Sequence, residues 1–422
     1  MLAAIATAPS PHRPQPALSS SAGYKPGHSS YQRVILGLAA GGLANFLLLY
    51  YVQPLLPSLA VQFAVTPSTS AAALSISTLT LAIALLVVGP ASDALGRVAL
   101  MRLSLTASGV LGVASAFAPS WHALLVLRGL EGIALAALPA VALAYVREEI
   151  HPSAHLQANA AYITGTALGG AAARLLPGPL ADWWGWSGAT LVVSAFTLLC
   201  AMATFLLLPA SARFTPSVVR PGTLLRTTVR TVRDPVLAGL CVIGLATMGT
   251  FVGIYNAISF RLQDAPYLLG GEAGAVYLAY LAGIAAPWLI RRVASARGRD
   301  VALLLTVGLL AAGTTILSFR PLPLVMAGLG LLTFAFLGAH SVASGWVVDR
   351  ARHLGIGAAQ ATSSYLVAYY TGSALFGALV TRQWQLGGWT GVTVYALSLA
   401  VLAATATVWI GRHDRRASAV RP

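Results

Sequence analysis

This sequence is poor in charged residues. Asp, Glu, Lys and Arg make up 9% of its 422 residues, and only 11 residues are acidic. Soluble domains carry about 25% charged residues, so this chain has too little charge to cover a water-facing surface. Its hydrophobic residues, 57% of the total, occur instead in blocks of roughly 20, the length of helix that crosses a bilayer. The composition therefore predicts an integral membrane protein.

Other shortages exclude further classes of protein. The two cysteines, Cys200 and Cys241, lie in apolar stretches and indicate neither a disulfide framework nor a metal site. The sequence has no glycine-rich phosphate loop, which argues against an ATP-driven pump. It also lacks the clustered His, Asp or Cys of an enzyme chamber. We expect no enzymatic activity, no cofactor and no metal.

The apolar blocks predict twelve membrane-spanning helices, because in lipid every backbone amide must be satisfied within its own segment. Short turns containing Gly or Pro separate most of them. The predicted spans are 34–59, 70–91, 99–118, 121–146, 157–179, 187–208, 236–262, 272–291, 301–319, 322–348, 358–381 and 389–411.

The basic residues predict the orientation of these spans. The net charge is +15, and 21 of the 26 Lys and Arg residues lie in the two tails and in every second loop. Basic residues concentrate on the cytoplasmic side of membrane proteins. We therefore expect both termini in the cytoplasm, the bacterial inner membrane as the location, and no binding to nucleic acid.

A duplication divides the chain into two halves. Gly96-Arg97 recurs 202 residues later as Gly298-Arg299, and Gly185-Trp186 recurs 203 residues later as Gly388-Trp389, each after an equivalent span. The predicted organisation is a disordered cytoplasmic tail (1–33), a six-helix bundle (34–208), a basic cytoplasmic linker (209–235), a second six-helix bundle (236–411) and a basic cytoplasmic tail (412–422).

A second symmetry lies within the first half. The pattern Gly-x-x-x-Asp-x-x-Gly occurs at 89–96 after span 2, and again at 178–185 after span 5, on the opposite side of the membrane. Inverted triplets of helices inside parallel halves are the construction of major facilitator proteins.

Two sets of residues carry a resemblance to a known family. Residues 89–97, GPASDALGR, resemble the major facilitator signature of the loop between spans 2 and 3. Residues 51–57, YVQPLLP, and 339–344, AHSVAS, resemble YnfM-type permeases of the arabinose-efflux-like drug:proton antiporter family. The resemblance covers about residues 34–411. It implies an all-α fold of two pseudo-symmetric six-helix bundles, a monomer, and proton-coupled efflux of a small organic solute by alternating access.

The family signature predicts a conformational latch formed by Gly89, Asp93, Gly96 and Arg97. In the family this element stabilises the outward-facing state. The alternative is an ordinary turn with a surface ion pair of little energetic value. The second copy, around Gly298, has lost the acidic residue, so we expect a weaker or different latch there.

Span 4 contains a predicted proton-coupling pair. Arg128 and Glu131 are three residues apart and therefore share a helix face. Each charge alone is costly at the bilayer centre, and intramembrane charges are usually functional. The alternative is a static ion pair that fixes helix packing. His340 in span 10 is a second candidate, with a packing role as its alternative.

The predicted substrate cavity is lined by aromatic groups and polar handles, which suit a partly apolar solute. Some of these tyrosines would equally suit interfacial belts. Arg174 in span 5 either attracts an anionic group or extends to the membrane interface. The cavity residues are Tyr50, Gln53, Tyr162, Arg174, Tyr255, Asn256, Tyr365 and Tyr369.

Three functional alternatives remain open at this stage. The first is a proton-linked importer or a uniporter on the same fold. The second is a non-transporting receptor or enzyme. The third is a channel, against which the duplicated plan argues because it is typical of alternating access. The cargo itself, a drug, sugar or metabolite, is not indicated by the sequence.

Overall fold

The computed structural model describes residues 23–211, 213–214 and 228–419. Helices joined by short turns make up the described part of the chain, and the only β-structure in this part is one isolated bridge between Tyr24 and Ile150. Ten helices in this part are long and apolar enough to cross a membrane. The protein is therefore an all-helical bundle, as the composition predicts.

The described part of the first half contains nine α-helices and a short 3₁₀ helix, Pro152–Ala154. Gly96 (φ 96°) joins two of the α-helices through a positive-φ residue. A similar break at Gly185 (φ 67°) divides α9 near its start. The helices are α1 Ser29–Tyr50, α2 Leu56–Gln62, α3 Pro67–Ser70, α4 Ala72–Leu95, α5 Arg97–Ala116, α6 Trp121–Leu135, α7 Ala137–Glu149, α8 His155–Leu175 and α9 Pro177–Leu207.

From Pro235 to Ala419 the second half contains six α-helices and one long 3₁₀ segment, Tyr277–Ala285. Gly298 (φ 98°) occupies the place of Gly96. The helices are α10 Pro235–Gln263, α11 Ala273–Val276, α12 Ala286–Arg297, α13 Arg299–Ile316, α14 Leu322–His353 and α15 Ala358–Ala419. The 62-residue α15 is interrupted at Gly387 and Gly388.

The observed bounds differ from the predicted spans at several points. Helix α1 begins at Ser29, five residues before the predicted boundary at 34, and α15 continues to Ala419, into the predicted tail 412–422. Predicted span 8 is not one α-helix but consists of α11, the 3₁₀ segment and the start of α12. Helix α8, at predicted span 5, is not among the ten apolar helices. Residues 1–22, 212 and 215–227 of the predicted tail and linker lie outside the described residues.

The two ends of the bundle are distinguished by their contacts. At the tail end, where α1 begins, the backbone of Tyr24 bonds to Glu149 and His151 at the end of α7. At the far end, Phe63 packs on Trp121 and Trp186, with ring centroids 5.7 and 5.4 Å away.

Glycines bring the helices around the centre into backbone contact. A Cβ added to Gly165 or Gly169 of α8 would lie 2.2 Å from a backbone carbonyl oxygen of α1. A Cβ on Gly132 of α6 would lie 2.1 Å from the carbonyl oxygen of Ser77 in α4. Small residues allow this close approach in membrane helices. It holds α1, α4, α6 and α8 tightly around the charged residues described next.

Candidate functional site

Arg128 and Glu131 of α6 form an ion pair in the protein interior. Both side chains are 0% exposed, and Nη1 of Arg128 donates to Oε1 of Glu131 at 2.8 Å. The spacing of three residues places both groups on one helix face, as the sequence predicts.

The remaining bonds of Arg128 go to backbone carbonyls. Its guanidinium donates to the oxygens of Leu48, Leu49 and Ala73 at 3.3, 3.0 and 3.1 Å. Leu48 and Leu49 lie in the last turn of α1, where carbonyls have no partner within the helix. Arg128 therefore satisfies the end of α1 while it pairs with Glu131.

One oxygen of Glu131 is left open. Its Oε2 is buried and has no hydrogen-bond partner in the described part of the chain. Buried polar atoms are nearly always paired, so an exception is a candidate functional atom.

Arg174 of α8 is the second buried arginine, with 1% of its area exposed. The centroids of four aromatic rings, Tyr50, Phe251, Tyr255 and Tyr280, lie 4.7–5.3 Å from its Cζ. Its Nη1 donates to the carbonyl of Gly170 at 2.7 Å. Within the described residues, its Nε has no partner and no acid forms an ion pair with it. The guanidinium does not extend to the surface.

An aromatic cluster continues from this point into the second half. The Phe251 and Phe336 rings stack at 4.1 Å, and the His340 and Tyr369 rings lie 4.7 Å apart. Nδ1 of His340 lies 3.0 Å from the Tyr365 hydroxyl. The structure thus brings together His340, Tyr365 and Tyr369, which the sequence analysis names separately.

The other predicted cavity residues have polar or packing contacts. Gln53 donates to Asn256 across the two halves at 2.8 Å, and Asn256 donates to the carbonyl of Gly377 at 3.3 Å. The Tyr255 hydroxyl lies 2.8 Å from that of Thr333. Tyr162 is buried in a hydrophobic cluster of the first half.

Arg97 of the predicted latch forms an ion pair with Glu148, an acid outside the predicted set. Arg97 donates through Nε and Nη2 to Oε1 of Glu148 at 3.1 and 2.8 Å, and through Nη1 to Ser92. Gly96 supplies the positive φ of the turn, whereas Gly89 lies within α4, where an added Cβ would meet nothing within 4 Å. The side chain of Asp93 lies outside the described residues.

The second half has an equivalent ion pair that sequence reasoning missed. Arg299 pairs with Asp349 at 2.5 Å, and Asp349 lies near the end of α14 as Glu148 lies at the end of α7. The two acids are 201 residues apart, nearly the offset of the Gly-Arg dipeptides. The duplication could therefore have predicted that Glu148 and Asp349 pair with the arginines of the two Gly-Arg dipeptides.

The halves are joined at the far end. Oδ2 of Asp182 accepts from the backbone N of Gly271 at 2.6 Å, and Ser68 donates to Gln385 at 2.9 Å. Asp182 belongs to the inverted copy of the latch pattern, so this copy contacts the other half.

Together, the long apolar helices, the two related halves and the buried charges define a multi-pass integral membrane protein with a polar centre. The chain belongs to the Major Facilitator Superfamily, whose family model matches residues 38–377. It is accordingly a membrane transporter and not an enzyme.

Individual relatives support the same assignment. The chain is 36% identical over 363 residues to the MFS-type transporter YybF of Bacillus subtilis, covering 86% of this chain and 89% of the relative. It is 36% identical over 380 residues to the inner membrane transport protein YnfM of Escherichia coli, covering 90% of each. A bacterial homologue of the human lysosomal transporter Spinster shares the fold, with a TM-score of 0.69 at 15% identity over 93% of this chain and 98% of that one.

Proposed function

We propose that this protein is a secondary transporter of the bacterial inner membrane that exports a small organic solute in exchange for protons. It crosses the membrane twelve times as a monomer, with α15 counted as two crossings on either side of Gly387 and α8 as one. The tail end, with both termini, faces the cytoplasm. The proton gradient drives transport without a cofactor.

The observation that carries proton coupling is the open oxygen of Glu131. Intramembrane charges are costly and mark proton or substrate pathways. A proton added to Oε2 would neutralise the carboxylate, while the three carbonyl bonds of Arg128 would stay in place. Glu131 is therefore suited to take and release a proton without loss of the surrounding packing. His340, beside Tyr365, is the next candidate in the second half.

The contacts at the two ends support alternating access. At the far end, Asp182 and Ser68 bond to residues of the other half. At the tail end, the Arg97–Glu148 and Arg299–Asp349 pairs each lie within one half. The arrangement is consistent with a state whose far end is closed, and with a latch motif that acts between halves in the opposite state.

A uniporter or a proton-linked importer is the competing function. The contacts of Arg128 favour this alternative, because three hydrogen bonds to carbonyls and one ion pair also suit a static packing role. In that case the pair would fix α1, α4 and α6 and would not titrate during transport.

The test uses vesicles with an acid interior that contain the wild type, Glu131→Gln or the control Glu272→Gln, an exposed acid near the far end. Internal pH is recorded while a panel of sugars, drugs and metabolites is added. We expect one compound to release protons with the wild type and the control but not with Glu131→Gln. Equal release by all three would remove Glu131 from coupling. Downhill movement of solute without protons would replace exchange by facilitated diffusion.

A further inference from the structure

Arg174 has an unusual environment for a buried charge. It is 1% exposed, it makes one hydrogen bond through Nη1, and its Nε has no partner among the described residues. A guanidinium has five N–H donors, and buried charges are normally paired with an opposite charge. The described part of the chain supplies none for Arg174. Among the described residues, the positive charge of Arg174 is therefore not compensated by an acid.

The aromatic rings explain how the cation is held when no anion is present. A guanidinium over an aromatic face gains about 0.5–1 kcal/mol at exposed sites and about 2 kcal/mol or more when desolvated. Tyr50 comes from the first half, whereas Phe251, Tyr255 and Tyr280 come from the second. Separation of the halves would therefore remove rings from the guanidinium and open a place for a ligand beside it.

We infer that Arg174 anchors the anionic group of the transported solute, and that this solute is an organic anion, such as a carboxylate, with an apolar or aromatic body. The inference rests on the proposed transport function and specifies its substrate class. The buried hydroxyl of Tyr277, which lacks a partner in the described part of the chain, provides a further donor beside the Tyr255 ring. The stacked rings of Phe251 and Phe336 provide the apolar wall.

The charge of the site selects among solutes. A cationic solute would be repelled by the guanidinium. The aromatic faces that could attract such a solute are already occupied by Arg174. A neutral solute would leave the guanidinium without a counter-ion. An anion satisfies Nε and replaces the cation–π contacts by a charge-assisted hydrogen bond, which is about twice as strong as a neutral one.

The experiment measures thermal unfolding of the purified full-length protein in detergent with two matched sets of probes. One set is benzoate, benzamide and benzylamine, and the other is hexanoate, hexanamide and hexylamine. The variants are Arg174→Gln and Arg174→Lys. The control is Arg261→Gln, because Arg261 is also a buried arginine against aromatic rings, Trp389 and Tyr267, and forms no ion pair within the described residues.

We expect the carboxylates to raise the melting temperature of the wild type and of Arg261→Gln more than the amides or amines do. For Arg174→Gln the apparent affinity for the carboxylates should fall at least tenfold. If Arg174→Gln does not fold, the inference is tested by the order in which carboxylates, amides and amines raise the melting temperature of the wild type and of Arg174→Lys. Equal or stronger stabilisation by amides or amines, no stabilisation by either carboxylate, or full retention in Arg174→Gln overturns the inference.

The outcome is separable from that of the proposed function. Carboxylate binding that depends on Arg174, without proton release from vesicles, would keep the anion site and remove proton exchange. Proton-coupled export of a cation that is unaffected by Arg174→Gln would keep the exchanger and remove the anion site.

Discussion

Arg128 and Arg174, two buried arginines of the first half, have the same guanidinium group but opposite surroundings. Arg128 is neutralised by Glu131 and bonded to three backbone carbonyls. Arg174 has one carbonyl bond and four aromatic rings. Both guanidinium groups lie against aromatic rings at the end of α1, where Tyr51 faces Arg128 and the adjacent Tyr50 faces Arg174.

This difference indicates which arginine changes its contacts when the two halves move apart. Every partner of Arg128 named above lies in the first half, so this network moves as one body. Three of the four rings around Arg174 lie in the second half, so their contacts change when the halves separate. Arg128 thus suits a permanent role beside a titrating carboxylate, and Arg174 suits a group that exchanges partners during the cycle.

The largest expected effect follows from Arg128→Gln. It leaves the carboxylate of Glu131 buried without its counter-ion, and breaking a buried pair in this way costs about 3–5 kcal/mol of stability. Thermal or denaturant unfolding in detergent measures the loss. The double variant Arg128→Gln/Glu131→Gln should recover a large part of it, because no charge is then orphaned. Equal loss in the single and double variants would show that the carbonyl bonds, and not the ion pair, dominate.

Arg174→Gln should destabilise the protein less than Arg128→Gln in the same assay. It removes cation–π contacts but leaves no buried carboxylate unpaired. We expect a loss of about 2 kcal/mol, the value of one desolvated cation–π contact. A loss as large as that of Arg128→Gln would mean that Arg174, like Arg128, is an essential structural group.

Sequence reasoning anticipated the Arg128 site better than the Arg174 site. The first rests on two residues three apart on one helix, which is a local pattern. The second rests on rings from α1, α10 and the 3₁₀ segment, and no local pattern indicates that Tyr50, Phe251 and Tyr280 converge. The all-helical membrane fold could be predicted because the scarcity of charge leaves few alternatives.

The 3₁₀ segment itself was not predictable from the residues 277–285. A Cβ on Gly283 would lie 2.7–2.8 Å from side-chain atoms of Leu337 and Thr333 in α14. Close packing against α14 accompanies the tighter helical form, and the two packing partners lie 50 and 54 residues away along the chain.

Asp182→Ala should have a smaller effect, confined to the far end. The variant removes the acceptor of the 2.6 Å bond from Gly271, and a hydrogen bond contributes about 0.5–1.5 kcal/mol net. The far end should therefore open more often. Ser58, which lines the same small cavity as Asp182 and Gly271, is replaced by Cys in a background without Cys200 and Cys241. A membrane-impermeant maleimide should label it several-fold faster in Asp182→Ala. The control Asp182→Asn keeps an acceptor oxygen and should label at nearly the original rate.

The smallest effects should come from the two tail-end ion pairs, which compare the two halves directly. Partly exposed pairs contribute about 0.2–1 kcal/mol. Arg97 and Glu148 are 13% and 27% exposed, whereas Arg299 and Asp349 are 43% and 38% exposed. Arg97 also uses two nitrogens on Glu148. Glu148→Gln should therefore lower the melting temperature more than Asp349→Asn, and added salt should reduce the second effect more than the first. The reverse order would show that the second half, despite its lost acidic residue at the turn, carries the stronger pair.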